Sequence, residues 1–258
     1  MNKIAVFICS LLIISQSCQS APSQKKAKAS IKIDHSVWDE LLKMHVSPNG
    51  KVDYKSFKTE SRKLDGYLKS LSRIDISGYS KNEQLAYWIN AYNAFTVDLV
   101  TRNYPVKSIK DIRNAKSLIA KATGGSQVWI EKLRYAFNGE ELSLYNIEND
   151  KLLKNLFDPR IHFVINCASY SCPRLWNGAY TAANEEKAMD QMAREFINDP
   201  SKNKISANSL QLSEIFKWYK GHFIRNGTLI DYLNKYSKIK INKDARIDYL
   251  NYNWNLNE

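Results

Sequence analysis

The stretch Glu83-Gln-Leu-Ala-Tyr-Trp-Ile-Asn-Ala-Tyr-Asn-Ala-Phe95 decides the fold, because its pattern predicts a long and largely buried helix. We expect Asn82 to cap this helix, which should extend to Asn103 and end before Pro105. Its apolar positions form a broad stripe, made of Leu85, Ala86, Trp88, Ile89, Tyr92, Phe95 and Leu99.

Two asparagines, Asn90 and Asn93, lie in the same turns as this stripe. A buried side-chain amide is costly unless it is hydrogen-bonded. We therefore expect both amides to bond a neighbouring loop or to line a site.

The remaining chain predicts several helices and only short strands. Helices are expected over residues 37–44, 57–71, 145–156, 184–197, 213–223 and 228–236. Asn138-Gly139 predicts a tight hairpin turn, and residues 205 and 210–212 predict a second short hairpin. Because strands and helices do not alternate regularly, the fold class is α+β: a single helix-rich domain around a small, mostly antiparallel sheet.

The segment from His162 to Pro173 contains the residues with the most reactive side chains. We interpret Ile161 to Cys167 as an apolar strand buried on both faces. On such a strand the side chains of His162 and Cys167 would point to opposite faces. Cys172 follows the predicted strand and can fold back, so His162 and Cys172 are the better pair.

The N-terminal residues indicate export. Lys3 precedes an apolar run over residues 4–14, which is the length of a signal-peptide core and too short to span a bilayer. Ser15-Gln-Ser-Cys18 resembles a loose bacterial lipobox, so residues 1–18 are interpreted as a lipoprotein signal peptide with lipidation at Cys18. The alternative is ordinary cleavage near Ser17, which would release a soluble protein.

Composition places the rest of the chain among globular proteins. Residues 19–33 read as a flexible tether and residues 34–258 as one globular domain, with 44% hydrophobic and 12% aromatic residues in the whole chain. The formal net charge is +12, but the basic residues are scattered and form no nucleic-acid motif. The simplest interpretation is a solvated basic surface, and the functional alternative is attraction to anionic envelope polymers or lipid head groups. We expect no nucleic acid partner.

Cys167, Cys172 and His162 allow three kinds of chemistry. A cysteine nucleophile needs a base, and His162 could serve Cys172, oriented by Asn90, Asn93 or Glu148, with backbone N–H groups near Ser171 as oxyanion donors. In an oxidising compartment the two cysteines could instead pair as a structural or a cycling disulfide. One histidine and two cysteines without C-x2-C spacing offer too few ligands for zinc, so neither a metal nor a cofactor is predicted. His35 and His45 are expected at the surface or in a hairpin.

Several of these motifs resemble those of the DUF547 family. The resemblance is carried by residues 83–95 and 104–109, by Leu144 to Glu148, by residues 158–173 and by Phe216-Lys-Trp-Tyr219, and it extends over about residues 38–254. It implies a motif set around His162, Cys167 and Cys172 without an assigned function. A papain-like or transglutaminase-like fold is suggested by analogy only.

This chain departs from the family pattern at three motif positions. Asn149 stands where a histidine commonly follows the Ile-Glu pair, and His222 where an acidic residue is common. Asn253 replaces the aspartate of the closing Tyr-Asp-Trp motif. Family chemistry that used any of these three groups would be altered here.

Together these observations predict an exported, lipid-anchored protein of the periplasm or outer membrane. As an enzyme it would be a cysteine-dependent hydrolase or acyltransferase acting on an envelope peptide or polymer, with Cys172 as nucleophile, His162 as base and Asn93 or Glu148 as orienting group. The alternatives are a non-enzymatic binding or scaffold protein with a structural Cys167–Cys172 disulfide, and a thiol–disulfide redox protein.

Overall fold

The structure, a computed structural model, describes residues 32–112, 130 and 135–258, which belong to one compact unit. The predicted signal peptide and Cys18 lie outside the described residues, as does most of the tether. Within the described part of the chain, none of the helices is both long and apolar enough to cross a bilayer.

Helices are the main regular structure of the described chain, as predicted. The α-helices are α1 Ser36–His45, α2 Tyr54–Thr59, α3 Ser61–Leu71, α4 Lys81–Asn103, α5 Leu144–Asn146, α6 Glu185–Asn198, α7 Ile215–Trp218, α8 Lys220–Phe223 and α9 Leu229–Leu233. A π-helix, Ile147–Lys154, continues directly from α5. Short 3₁₀ helices span Ile76–Gly78, Ile109–Asp111 and Pro159–Phe163.

The strands are short and mostly antiparallel. β1 (Tyr135–Phe137) and β2 (Glu140–Leu142) form a hairpin, and the positive φ angles of Asn138 (44°) and Gly139 (84°) fit the predicted tight turn. In a second sheet β3 (Lys204–Ile205) pairs antiparallel with β4 (Ser209–Leu212), which pairs parallel with β5 (Arg246–Tyr249). The predicted α+β class is confirmed.

Helix α4 is the buried centre of the domain. Every residue from Leu85 to Thr101 is buried, so apolar side chains meet neighbours on all sides of the helix. The predicted cap is wrong by two residues: Ser80, not Asn82, caps the helix, because Ser80 and Glu83 form a capping box. The helix ends at Asn103, as expected from Pro105.

The predicted strand over Ile161–Cys167 is wrong. Asp158 caps a 3₁₀ helix with Pro159 in its first turn, and its carboxylate accepts a hydrogen bond from the backbone N–H of Arg160 (2.8 Å). Ile161 and Phe163 are buried on this helix, where the Phe163 ring contacts Phe196 (centroids 5.4 Å apart). A short apolar run suits a buried helix and a buried strand equally well, and here the Asp-Pro start signal prevails.

His35 also departs from expectation. It is buried, and its ring Nδ1 lies 2.7 Å from the hydroxyl of Tyr67. Burial lowers the pKa of His35 to about 4, so this histidine is neutral at ordinary pH. His45 lies at the end of α1 against Phe57 (centroids 4.8 Å apart).

Gly50 holds the segment that follows the second cysteine in place. The turn at Pro48–Gly50 brings Gly50, with φ of 80°, against the backbone of Arg174 and Leu175. A Cβ atom on residue 50 would overlap the Cβ atom of Arg174. Both the backbone angle and the close approach therefore require glycine.

We predict that Gly50→Ala lowers the free energy of unfolding by about 3 kcal/mol, because strain at positive φ adds to the overlap with Arg174. The matched control is Gly139→Ala, which has the same φ region (84°) but no atom within 4 Å of the added Cβ. It should cost only about 1 kcal/mol. Urea denaturation of both variants measures the difference, and equal losses would contradict the role given to the close approach.

Candidate functional site

A cavity of about 400 Å³ contains both cysteines and is called here the thiol cavity. Its described lining consists of Tyr92, Lys110, Ile130, Glu148, His162, Ile165, Cys167, Cys172, Ile215, Trp218, Tyr219, Tyr252 and Trp254. The 3₁₀ turn brings His162 and Cys167 to this one space, so the expected placement on opposite faces is wrong. Three of the predicted site residues thus share a cavity with Glu148.

Cys167 and Cys172 are free thiols whose Sγ atoms lie 3.1 Å apart, within hydrogen-bond distance. Cys167 is half-buried, and its sulfur also lies 2.9 Å from the hydroxyl oxygen of Ser169 and 3.5 Å from that of Tyr252. Hydrogen bonds from Cys172, Ser169 and Tyr252 lower the pKa of the Cys167 thiol, although burial opposes them. Cys167 is therefore the thiol that ionises first.

Cys172 behaves in the opposite way. It is buried, with 6% of its surface exposed, and burial raises the pKa of its thiol. Its sulfur accepts a hydrogen bond from the backbone N–H of Cys167 (3.1 Å). The negative charge of a neighbouring Cys167 thiolate further disfavours ionisation of Cys172. The pair thus consists of one ionisable and one protonated thiol.

The loop between the cysteines, Cys167–Cys172, is held in a strained shape. Ala168 has φ of 60°, which is uncommon for a residue with a Cβ atom, and it is fully buried. The Asn166 side chain joins the two ends of the loop: its Oδ1 accepts from Ala168 N–H (2.8 Å) and its Nδ2 donates to the carbonyl of Pro173 (2.6 Å). This amide fixes the separation of the two thiols.

The C-terminal segment, residues 250–258, pairs with the same loop. The N–H groups of Tyr170 and Ser171 donate to the carbonyls of Asn255 (2.7 Å) and Asn253 (3.1 Å). The N–H of Cys172 donates to the carbonyl of Ser169 (3.0 Å). The prediction of oxyanion donors near Ser171 is therefore wrong, because the N–H groups of Tyr170, Ser171 and Cys172 already donate hydrogen bonds to backbone carbonyls.

Glu148 is a buried carboxylic acid in the thiol cavity. It lies on the π-helix, a kind of helix often found at functional sites. Tyr219 donates a hydrogen bond to its Oε1 (2.8 Å) and Tyr92 a longer one to its Oε2 (3.4 Å). Burial raises the pKa of Glu148 to about 7, and negative charge on Cys167 adds to this rise. Glu148 can therefore accept or release a proton near neutral pH.

His162 interacts with a second histidine and not with the predicted orienting groups. Its Nε2 lies 2.8 Å from Nδ1 of His222, and its ring stacks on Tyr219 (centroids 3.8 Å apart). Burial, followed by the effect of His222, lowers the pKa of His162 to about 3. His162 is thus a neutral imidazole oriented by His222, the residue at one of the three positions that depart from the family pattern.

Asn93 and Asn90 connect α4 to two loops, as one of the expectations for them states. Asn93 donates to the carbonyl of Val164 (2.9 Å) and accepts from the N–H of Asn166 (2.8 Å). Asn90 makes the same two kinds of bond with the carbonyl (2.7 Å) and N–H (3.0 Å) of Tyr180. In the described part of the chain, the groups that hydrogen-bond to these two side-chain amides are backbone N–H and carbonyl groups. Asn93 therefore positions the loop and does not orient His162.

Sequence reasoning missed four residues of the site: Lys110, Tyr219, His222 as the partner of His162, and Tyr252. Each is distant in sequence from the cysteines. Tyr219 belongs to the Phe216-Lys-Trp-Tyr219 motif, His222 follows it and Tyr252 belongs to the closing motif, but these motifs do not signal the roles of the three residues. Lys110 has no local pattern that signals its role. Across residues 32–112, 130 and 135–258, no group of three His, Cys, Asp or Glu side chains is arranged to hold a metal ion.

The fold and the site define an α+β domain in which two free thiols, one half-buried and one buried, line a cavity. Residues 76–197 match the family model described as "Protein of unknown function, DUF547", which confirms the resemblance over that segment. No curated protein and no solved structure matches the chain. The wider resemblance and the papain-like or transglutaminase-like analogy stay predictions.

The matched segment contains only part of the site. Asn93, Glu148, His162 and both cysteines lie inside residues 76–197. Four residues that complete the site, Tyr219, His222, Tyr252 and Trp254, follow the end of the match. The thiols and their surroundings thus come from different parts of the chain.

We predict that Glu148→Gln stabilises the protein at high pH. The pKa of this carboxyl is about 7 in the folded protein and 4.5 ordinarily. The wild-type protein therefore loses free energy of unfolding as the pH rises from the lower value to the higher one, and the loss is complete above the higher value. The variant should gain about 2 to 3 kcal/mol at about pH 8 but less than about 1 kcal/mol at about pH 5. Urea denaturation at both pH values measures the gain.

The control for this measurement is Glu141→Gln, which makes the same change at an exposed side chain on β2. It should shift stability little at either pH. A gain for Glu148→Gln that is the same at both pH values, or no gain at all, would refute the ionisation argument.

Proposed function

We propose that the two cysteines perform thiol–disulfide exchange, with Cys167 as the attacking thiol and Cys172 as the resolving thiol. The observation that carries this proposal is the distance of 3.1 Å between the two sulfur atoms. The pKa of the Cys167 thiol is lowered and that of the Cys172 thiol is raised. An attacking thiol needs thiolate character and access, and Cys167 has both. Its partner needs to be close and can be buried.

The exchange requires two displacement steps. The Cys167 thiolate attacks one sulfur of a substrate disulfide, a mixed disulfide forms, and the other substrate sulfur leaves as a thiolate that takes up a proton. Cys172 then loses its proton and attacks the Cys167 sulfur, and the first substrate sulfur leaves. The substrate gains two electrons, the two cysteines become a disulfide, and an external dithiol reduces them again.

Glu148 is suited to handle the proton in the second step. The carboxyl titrates near neutral pH and lies close enough to Cys167 to respond to its charge. Once the mixed disulfide has removed that charge, the pKa of Glu148 falls, so the residue is present as the carboxylate, the form that can take up the proton of Cys172. The hydroxyls of Tyr92 and Tyr219 keep it in place.

Hydrolysis or acyl transfer with Cys172 as nucleophile is less well supported. The bonded partner of His162 Nε2 is His222, and the pKa of Cys172 is raised, so neither residue has the character that this mechanism needs. The backbone N–H groups of residues 170–172 already donate to carbonyls. A scaffold role with a structural disulfide is the other alternative, and the following experiment separates all three.

We predict opposite behaviour of two serine variants toward an uncharged small disulfide, bis(2-hydroxyethyl) disulfide. Cys172→Ser should accumulate a mixed disulfide on Cys167, because the resolving thiol is missing, whereas Cys167→Ser should react slowly. The wild-type protein should end with an internal disulfide that a mild dithiol reopens. Intact mass after acid quenching distinguishes these products.

Two other results would reject the exchange mechanism. Faster modification of Cys172 than of Cys167, or acylation by an activated ester without reaction with the disulfide, would favour acyl transfer. A Cys167–Cys172 disulfide that opens only under strong reduction would favour a scaffold. The two variants serve as controls for each other, since each retains one of the two thiols.

The place of action is part of the proposal. We propose that residues 1–18 direct export, that a lipid on Cys18 anchors the mature protein in the cell envelope, and that the substrate is an envelope peptide or polymer. The support is the apolar run over residues 4–14 followed by Ser15-Gln-Ser-Cys18. Thiol–disulfide exchange suits such a compartment, because disulfides persist there.

We predict that the full chain expressed in a bacterial host loses residues 1–17, gains the mass of a diacylglyceryl group and an acyl chain, and fractionates with membranes. Cys18→Ala should remain without lipid. Intact mass and fractionation of both proteins test this. A wild-type protein that is cleaved without lipid, or retains residues 1–17, would reject the anchor.

A further inference from the structure

Three aromatic side chains form one wall of the thiol cavity, called here the aromatic wall: Trp218, Tyr252 and Trp254. Their ring centroids lie 4.6 Å (Tyr252–Trp254), 4.8 Å (Trp218–Tyr252) and 5.8 Å (Trp218–Trp254) apart. Trp218 is 45% exposed although it is large and apolar. The exchange steps use neither tryptophan. An exposed aromatic cluster beside a reactive group is typical of a binding surface.

A lysine lies on the same wall. The Lys110 amine is 3.6 Å from the centroid of the Trp254 ring and lines the thiol cavity. Among the described residues, no carboxylate lies within ion-pair distance of this amine. Burial lowers the pKa of Lys110, and the nearby Cys167 opposes that effect. With no acidic partner in the described part of the chain, a cation on this apolar surface favours an anionic group of a ligand.

The size of the cavity limits what can enter. About 400 Å³ is near the lower end of small-ligand sites, so the space suits one or two side chains and not a folded surface. A substrate sulfur must reach Cys167, which lies beside the aromatic wall with its sulfur 3.5 Å from the Tyr252 hydroxyl. A cysteine on an extended peptide segment satisfies both requirements.

We infer that the aromatic wall and Lys110 bind an extended peptide whose reacting cysteine has an aromatic neighbour on one side and a carboxylate on the other. The aromatic side chain packs against Trp218 and Trp254, and the carboxylate pairs with Lys110. This inference rests on the proposed exchange and names its substrate class. It also assigns recognition of the aromatic side chain to Trp218 and Trp254, which lie outside the segment matched by the family model.

Binding can be measured without any redox step. Acetylated tripeptide amides with serine in place of the cysteine, Phe-Ser-Glu and Phe-Ser-Lys, are titrated while tryptophan fluorescence is recorded. The wild-type protein should bind Phe-Ser-Glu about tenfold more tightly than Phe-Ser-Lys, and Gly-Ser-Glu about as weakly as Phe-Ser-Lys. Lys110→Glu should reverse the preference between the first two peptides.

The matched control is Lys217→Glu, an equal change of charge at an exposed residue next to Trp218 that does not line the cavity. It should retain the wild-type preference. The inference is overturned if Lys110→Glu keeps that preference, if Lys217→Glu reverses it equally, or if wild type binds none of the peptides. Reaction with bis(2-hydroxyethyl) disulfide tests the exchange separately. If the protein performs exchange but binds the peptides without selectivity, only the inference is rejected. If it binds the peptides selectively but performs no exchange, only the proposed function is rejected.

Discussion

The site depends on two buried amides of α4 that bond backbone rather than side chains. Asn93 bonds the carbonyl of Val164 and the N–H of Asn166, and Asn90 bonds both groups of Tyr180. Each side-chain amide thereby makes the two hydrogen bonds that a neighbouring strand would make, one to a carbonyl and one to an N–H group. These bonds satisfy backbone groups that are buried outside regular secondary structure. The chain before the cysteines and the chain after them are therefore both tied to the most buried helix. This anchoring allows a non-glycine residue to hold a positive φ angle at Ala168.

The same burial sets the electrostatics of the cavity. Glu148 and His162 are both buried, and in each case burial disfavours the charged form, so the acid has a raised pKa and the imidazole a lowered one. Negative charge at Cys167 is supported by hydrogen bonds from neighbouring groups. A low-dielectric space with a single stabilised anion suits a reaction in which a thiolate appears and disappears.

The sequence predicts correctly those turns and helix ends that neighbouring residues determine. Asn138-Gly139 specifies its hairpin through two positive φ angles, and Pro105 ends α4 because the ring cannot continue a helix. The run from Ile161 to Cys167 wrongly predicts a strand, because burial on all sides removes the periodicity that separates helix from strand. The importance of His162 and both cysteines was visible in their proximity, but their roles were not. Cys167 becomes the more acidic thiol through hydrogen bonds from Cys172 and Ser169 close by and from Tyr252, which is 85 positions away. His162 is oriented by His222, 60 positions away.

Under the proposed exchange, the division of the chain separates the thiols from the aromatic residues that recognise the substrate. The segment that matches the family model contains the cysteines, Glu148 and the amides that hold the loop. The later segment contributes Trp218, Tyr252 and Trp254, and its backbone pairs with the loop between the cysteines. Under the proposed recognition, a change to the exposed ring of Trp218 alters what the cavity admits without removing a group that hydrogen-bonds to either sulfur atom. Tyr252 cannot vary as freely, because its hydroxyl contacts Cys167 and Ser169 while its ring belongs to the aromatic wall. Recognition and thiol ionisation are thus linked through this one side chain.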